Sequence, residues 1–156
     1  MQRASIGVVS APVDSEGILR RFPLMFSVYG PATLGFALAL MHAGTDSPAV
    51  QVDGGELQVG SSRWPINASG EVSLRYPSGL SGLRTVLFYH AALAASSVAG
   101  LEPLAASFND KIILIGSSSA ALCDFVETPL GRVPGVKAQA LMTQLVLNGH
   151  VLKPPQ

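Results

Sequence analysis

Cysteine is almost absent from this sequence of 156 residues. Cys123 is the only one, which excludes an intramolecular disulfide framework and a cysteine-built zinc site. Charge is scarce too: Asp, Glu, Lys and Arg make up 13% of the chain, against ~25% in ordinary soluble domains. Ten basic residues balance ten acidic ones. With no basic excess, nothing draws the chain to a polyanion, and neither nucleic acid nor an acidic membrane surface is expected as a partner. His42, His90 and His150 lie far apart, without metal-ligand spacing. The phosphate-cradling patterns Gly-x-x-x-x-Gly-Lys-Ser/Thr and Gly-x-Gly-x-x-Gly do not occur, so nucleotide binding has no basis here. No cofactor and no metal is expected. The first residues also lack the basic start and apolar centre of a secretory leader, which places any export signal outside this sequence.

What the chain does have is apolar bulk. Residues of the apolar types reach 48%, while aromatics supply 6%. This composition excludes intrinsic disorder, and the length suits one domain spanning 1–156. Residues 22–45 carry no charge, yet Pro23, Gly30-Pro31 and Gly35 interrupt them before the ~20 unbroken apolar residues of a membrane span are reached. A strand over 24–29 and a helix over 32–42 fit this stretch better.

The periodicities predict an α/β fold with a mixed sheet, flanking helices and β-hairpins. Residues 5–29 read as a hairpin around the turn Asp14-Ser15-Glu16-Gly17, where Asp can bond backbone amides and Gly can take positive φ. Short strands follow at 49–52, 56–59 and 62–66, then the turn Asn67-Ala68-Ser69-Gly70 and a strand over 72–76 with Val72, Leu74 and Tyr76 alternating. Helices are predicted at 85–97, 101–108 and 136–147, the last ended by Asn148-Gly149. The continuous run Lys111-Ile112-Ile113-Leu114-Ile115-Gly116 predicts a central strand covered on both faces.

Gly116-Ser117-Ser118-Ser119-Ala120 follows that run and fits a nucleophile elbow in outline, with Ser118 as nucleophile and Asp124 and His150 completing a triad. Pro129, Gly131, Pro134 and Gly135 prevent the long helix that an elbow needs beneath its serine. Hydroxyls capping backbone groups are the simpler account of this loop. A strand end of this kind is also where α/β folds place small polar ligands. Asp124 stands in an apolar stretch and needs a partner. Arg20 or Arg21 is the expected one, in a buried pair tying the post-strand loop to the hairpin. Strand alternation allows only one of these arginines to face inward.

Three spaced segments together resemble the CHASE2 domain, an extracytoplasmic sensory module of bacterial receptors. The first runs from Val13 through Asp14, Gly17, Arg20-Arg21 and Pro23 to Leu24. The second is Arg63-Trp64-Pro65-Ile66-Asn67-Ala68-Ser69-Gly70, followed by a strand ending in Tyr76. The third runs from Asp110-Lys111 through Gly116-Ser117-Ser118, Asp124 and Thr128-Pro129 to Val133-Pro134-Gly135-Val136. Gln139 and Lys137 depart from the family pattern, which often has His and an acidic residue there. The Asp-bearing strand and the Trp-Pro-x-x-Arg-like segment of the family's amino-terminal half are absent, so the resemblance is to the carboxyl-terminal portion of the domain. It implies a non-catalytic ligand sensor outside the cytoplasmic membrane, joined in its parent receptor to transmembrane helices and a cytoplasmic cyclase or kinase output domain. The implied partner is an unknown small-molecule ligand; the low charge, the apolar bias and the absent half-domain predict exposed apolar surface and hence a second copy of the chain as a further partner. Asp14, Arg20, Arg21, Ser117, Ser118, Asp124 and Thr128 are the candidate ligand-binding residues. A serine hydrolase built on Ser118 and a purely structural oligomerisation domain are the rival readings.

Overall fold

The computed structural model describes residues 6–27, 32–43, 49–79, 82–96, 99–122 and 124–153. In chain order the elements are β1 (Arg21–Pro23), β2 (Met25–Phe26), β3 (Thr33–Leu34), α1 (Phe36–Ala43), β4 (Val50–Asp53), β5 (Glu56–Val59), β6 (Ser62–Pro65), β7 (Glu71–Leu74), α2 (Phe88–Ala95), α3 (Glu102–Ala106), a 3₁₀ turn (Ala120–Leu122), β8 (Phe125–Thr128), β9 (Gly131–Pro134), α4 (Gly135–Leu147) and β10 (Val151–Leu152). The α/β class holds. Among the described residues no helix is long and apolar enough to cross a membrane.

Helix α4 organises the core. Ala138, Leu141, Met142, Leu145 and Val146 are buried at the spacing i, i+3, i+4, i+7, i+8, the stripe that an amphipathic helix turns inward. This stripe packs on α1, β7, β8 and β9. Leu19, Phe22, Leu24, Leu38, Leu57, Trp64, Val72 and Leu74 fill the other side of the core. The Trp64 indole N–H donates to the Val146 carbonyl (3.0 Å), which locks the β4–β5–β6 meander onto the end of α4.

The helix ends in a double closure that sets the next strand. Gly149 takes φ +68°; its N–H donates to the Val146 carbonyl (3.1 Å), and the His150 N–H donates to that of Leu145 (2.8 Å). This is the Schellman arrangement, for which glycine carries no Cβ penalty. It redirects the chain so that β10 pairs antiparallel with β7, opposite the edge taken by β1.

Several sequence expectations need correction. Among the described residues, 6–13 and 18–27 do not form the expected hairpin: Val8 bridges to Gly35 and Ile18 to Glu127, both in parallel sense. Pro12 has no N–H to continue a ladder out of the turn, and the Ile18 amide is taken by the Asp14 carboxylate. Residues 28 and 29 of the predicted strand over 24–29 lie outside the described residues; those before them include β2. Among the described residues the ladders are antiparallel, in four small sheets rather than one mixed sheet.

The central strand over 111–116 is also overturned. The segment pairs with no strand among the described residues, and Ile112, Ile113 and Ile115 are 47%, 54% and 74% exposed. A doubly covered strand needs layers packed on both of its faces; the exposed isoleucines show that this segment has none, while the described strands pair among themselves. The far end of the segment lies against α4 at Gly116. A Cβ at Gly116 would lie 2.7 Å from the Val136 side chain, so glycine is what lets the backbone sit on the first turn of α4.

Candidate functional site

The turn before β1 is built by Asp14. One oxygen of its carboxylate accepts from the amides of Glu16 and Ile18, both at 3.0 Å, while its own N–H donates to the Ile18 carbonyl (3.0 Å). Gly17 takes φ +78° at the sharpest point. The second carboxylate oxygen accepts from the Arg20 guanidinium, which also reaches Glu16 at 2.7 Å. The amide of Ile18, followed by the other donors, holds the Asp14 carboxyl below the usual carboxylate range; burial opposes this in part. Glu16 and then Asp14 hold Arg20 further up in turn.

Arg20 therefore has partners already, and Asp124 is not one of them. Both arginines are exposed, because Leu19 and Phe22 occupy the inward positions. The expected buried pair between Asp124 and Arg20 or Arg21 does not form. Asp14 lies six residues from Arg20 across one tight turn, and so short a loop closes at little entropic cost. Asp124 is exposed and sits at the start of α4, where its carboxylate oxygens lie 2.3 and 2.5 Å from the place a Cβ would take on Gly135. The Gly135 N–H donates to the Asp124 carbonyl (2.9 Å).

The serine loop is engaged with its own backbone. The Ser119 amide donates to the Ser117 hydroxyl (3.1 Å) and the Ala121 amide to the Ser119 hydroxyl (3.3 Å), leading into the 3₁₀ turn. No helix begins beneath Ser118, so the strand–turn–helix setting of a nucleophile elbow is missing there. Thr128 is buried, donating to the Gly131 carbonyl (2.8 Å) and accepting from the Leu130 amide (3.1 Å), which fixes the β8–β9 turn. Cys123 lies outside the described residues.

Two groups of the candidate residues emerge. Asp14, Arg20 and Arg21 gather beside β1, and the Leu19 N–H donating to the Glu127 carbonyl (2.8 Å) ties them to β8. Ser117, Ser118 and Asp124 stay with the start of α4. The first group is tied to Glu127 and the second begins at Asp124, three residues back along β8, or about 10 Å at ~3.3 Å per residue.

Arg20 and Arg21 line a groove of about 500 Å³ whose other walls are Ser73, Leu74, Arg75, Tyr76, Pro129 and Leu152. Ser73 and Arg75 were not among the expected residues. The signal for them was available: if Val72 and Leu74 face inward, Ser73 and Arg75 face out. Tyr76 closes the inner end, its hydroxyl donating to the Leu19 carbonyl, and burial pushes its phenol up from the ordinary value. A second groove, about 820 Å³, lies between Pro23, Met25 and Phe26 on one side and Ile66 to Glu71 on the other. Its lining is largely apolar, and among the described residues Glu71 is the one charged group in it.

The domain thus combines small sheets packed on α4, a carboxylate-built turn and an arginine-lined groove. Residues 2–156 match the CHASE2 domain family, and the chain belongs to that family of extracellular sensory domains. No curated protein and no solved structure matches the chain.

The Asp14 turn gives a pH-dependent contribution to stability. With its carboxyl lowered in the fold, Asp14 binds fewer protons folded than unfolded near the ordinary value of 3.8. The contribution is fully present above that value and is lost as the pH falls through the lowered one. Asp14→Asn is expected to flatten the fall of melting temperature between about pH 5 and pH 2 relative to the parent chain. An unchanged profile in the variant would mean that other carboxylates set the acid sensitivity.

Proposed function

We propose that this domain is the extracytoplasmic ligand-sensing input of a bacterial transmembrane receptor, without catalysis of its own. What supports the reading is membership of the CHASE2 family along the length of the chain. A ligand that binds one arrangement of the domain better than another shifts their equilibrium, and the shift passes to the transmembrane helices and cytoplasmic output domain of the parent receptor. The Asp14–Arg20–Arg21 face is the part of the candidate site best suited to this role. There the hairpin β8–β9, the turn before β1 and the β1–β7–β10 sheet meet.

The domain works as a homodimer in this reading. Ile112, Ile113 and Ile115, together with Leu87, Phe88, Tyr89 and Leu122, are large apolar residues left exposed, and unpartnered apolar surface of this kind marks an interface. Light scattering at micromolar concentration is expected to give the dimer mass, and Ile113→Lys with Ile115→Lys to give the monomer. A parent chain that is already monomeric counts against it.

The sensory reading is tested by thermal unfolding in the presence of a small-molecule library. A ligand at a hundred times its Kd stabilises the fold by about 2.7 kcal/mol, and at this chain length that raises the melting temperature by roughly 5–10 °C. A library spanning organic acids, sugars, amines and nucleotides with no stabilising member would oppose ligand sensing and leave the structural oligomerisation reading in its place.

A further inference from the structure

The outer face of the β1–β7–β10 sheet carries a set of donors that the fold itself does not use. Arg21 stands opposite Ser73 in the β1–β7 ladder, and Leu152 stands opposite Ser73 on the other side. These three side chains therefore form one row across the sheet. Arg75 lies two residues beyond Ser73 on the same face. Directly paired positions have Cβ atoms about 5 Å apart and diagonal ones about 7–8 Å, within reach of two arginines. Among the described residues neither Arg21 nor Arg75 has an ion pair, and the Ser73 hydroxyl has no hydrogen bond. The nearby carboxylates of Asp14 and Glu16 are spent on Arg20, and Glu71 on the same strand accepts from Asn67.

Two guanidinium groups on neighbouring positions of one sheet face repel each other unless an anion lies between them. The chain as a whole is neutral, so this local excess is a property of the groove and not of the composition. Guanidinium forks fit carboxylate and phosphate oxygens in paired hydrogen bonds, and the Ser73 hydroxyl adds a third donor from below. Of the remaining walls, Arg20 is held by Asp14 and Glu16, and Leu74, Tyr76, Pro129 and Leu152 offer largely apolar surface. An inorganic anion would leave them uncovered, whereas an organic acid would lay its hydrocarbon part against them.

We propose that this groove binds a small organic carboxylate, with Arg21 and Arg75 clamping the carboxylate, Ser73 donating to it, and the apolar part of the ligand lying between Tyr76, Pro129 and Leu152. A signalling role for such a ligand rests on the sensory reading above; the binding itself does not.

The test is a titration of the full chain with hexanoate, acetate and inorganic phosphate, followed by calorimetry and by melting temperature. Hexanoate is expected to bind saturably and more tightly than acetate or phosphate. Arg21→Gln and Arg75→Gln are each expected to weaken it about tenfold or more, because a charge-assisted hydrogen bond is lost. Arg84→Gln, an exposed arginine outside the groove, is expected to leave it unchanged. Leu152→Ser is expected to remove the advantage of hexanoate over acetate. Equal binding of phosphate and hexanoate overturns the assignment to an organic acid, and binding unaffected by both arginine substitutions overturns the site. If hexanoate does not bind the parent chain while a sugar or amine stabilises the parent and the Arg21→Gln/Arg75→Gln variant equally, this site is overturned and the sensory reading is kept.

Discussion

Phe22→Ala is expected to remove about 3–5 kcal/mol of folding stability, the range for truncating a buried aromatic side chain. Phe22 is 1% exposed and sits in β1 opposite Val72, in the core cluster that the sheet shares with α4. Domains of this size hold roughly 5–15 kcal/mol in total, so this one change removes a third or more of the stability in most cases. The measurement is urea unfolding followed by the fluorescence of Trp64. That residue is the only tryptophan in the chain, and it is buried against the end of α4. Leu152→Ala is the control: its side chain is 39% exposed, and a change within about 1 kcal/mol is expected. A loss for Phe22→Ala no greater than the control's would mean that the inner face of the sheet is not packed on α4.

Gly35→Ala is expected to be at least as damaging, for a different reason. Gly35 is buried where three chain segments converge. Its N–H donates to the Leu24 carbonyl (2.7 Å), and its neighbours Leu34 and Phe36 exchange hydrogen bonds with Val8 (3.0 and 2.8 Å). A Cβ there would lie 2.3 Å from the Pro23 carbonyl oxygen and 3.1 Å from the Leu24 carbonyl group. Those atoms are backbone and cannot swing aside as a side-chain tip can. Overpacking in cores usually costs about 1–3 kcal/mol, and with backbone on the receiving side the loss is expected at the top of that range or beyond. Gly79→Ala, with nothing within 4 Å of the added Cβ, is the matched control. Equal melting temperatures for the two variants would show that the Val8, Leu24 and Gly35 segments are not in this close contact.

Local chemistry explains which expectations held. The Asp14 to Gly17 turn, the three-stranded meander, the Asn67 to Gly70 turn and α4 were legible because each is decided within a few residues. The side-chain oxygens of Asp14 and Asn67 bond amides two and four residues on. Glycines at positive φ close the tight turns, and the inward stripe of α4 repeats at helical spacing. Much of the CHASE2 resemblance was legible for the same reason: its first two segments fall on the Asp14 turn and on β6 with the Asn67 turn, and the third ends at the start of α4.

Partners distant in sequence were not legible in this way. The Ile-Ile-Leu-Ile run states a preference for burial on both faces but does not say what would lie against them. Asp124 was assigned an arginine on the strength of its apolar neighbours. The nearer carboxylate, Asp14, had already taken Arg20 at a smaller cost in loop entropy.

The sequence by itself determined the α/β class, the family, most helices and turns, and the scarcity of charge that makes any exposed arginine cluster conspicuous. Only the tertiary structure decided that β7 lies between β1 and β10. That order aligns Arg21, Ser73 and Leu152 in one row, with Arg75 beside them. The physical reason is that side-chain alternation is a property of one strand, while adjacency across a sheet depends on which segments the chain brings together. Here it depends on the closure at Gly149, which turns the last strand back onto β7.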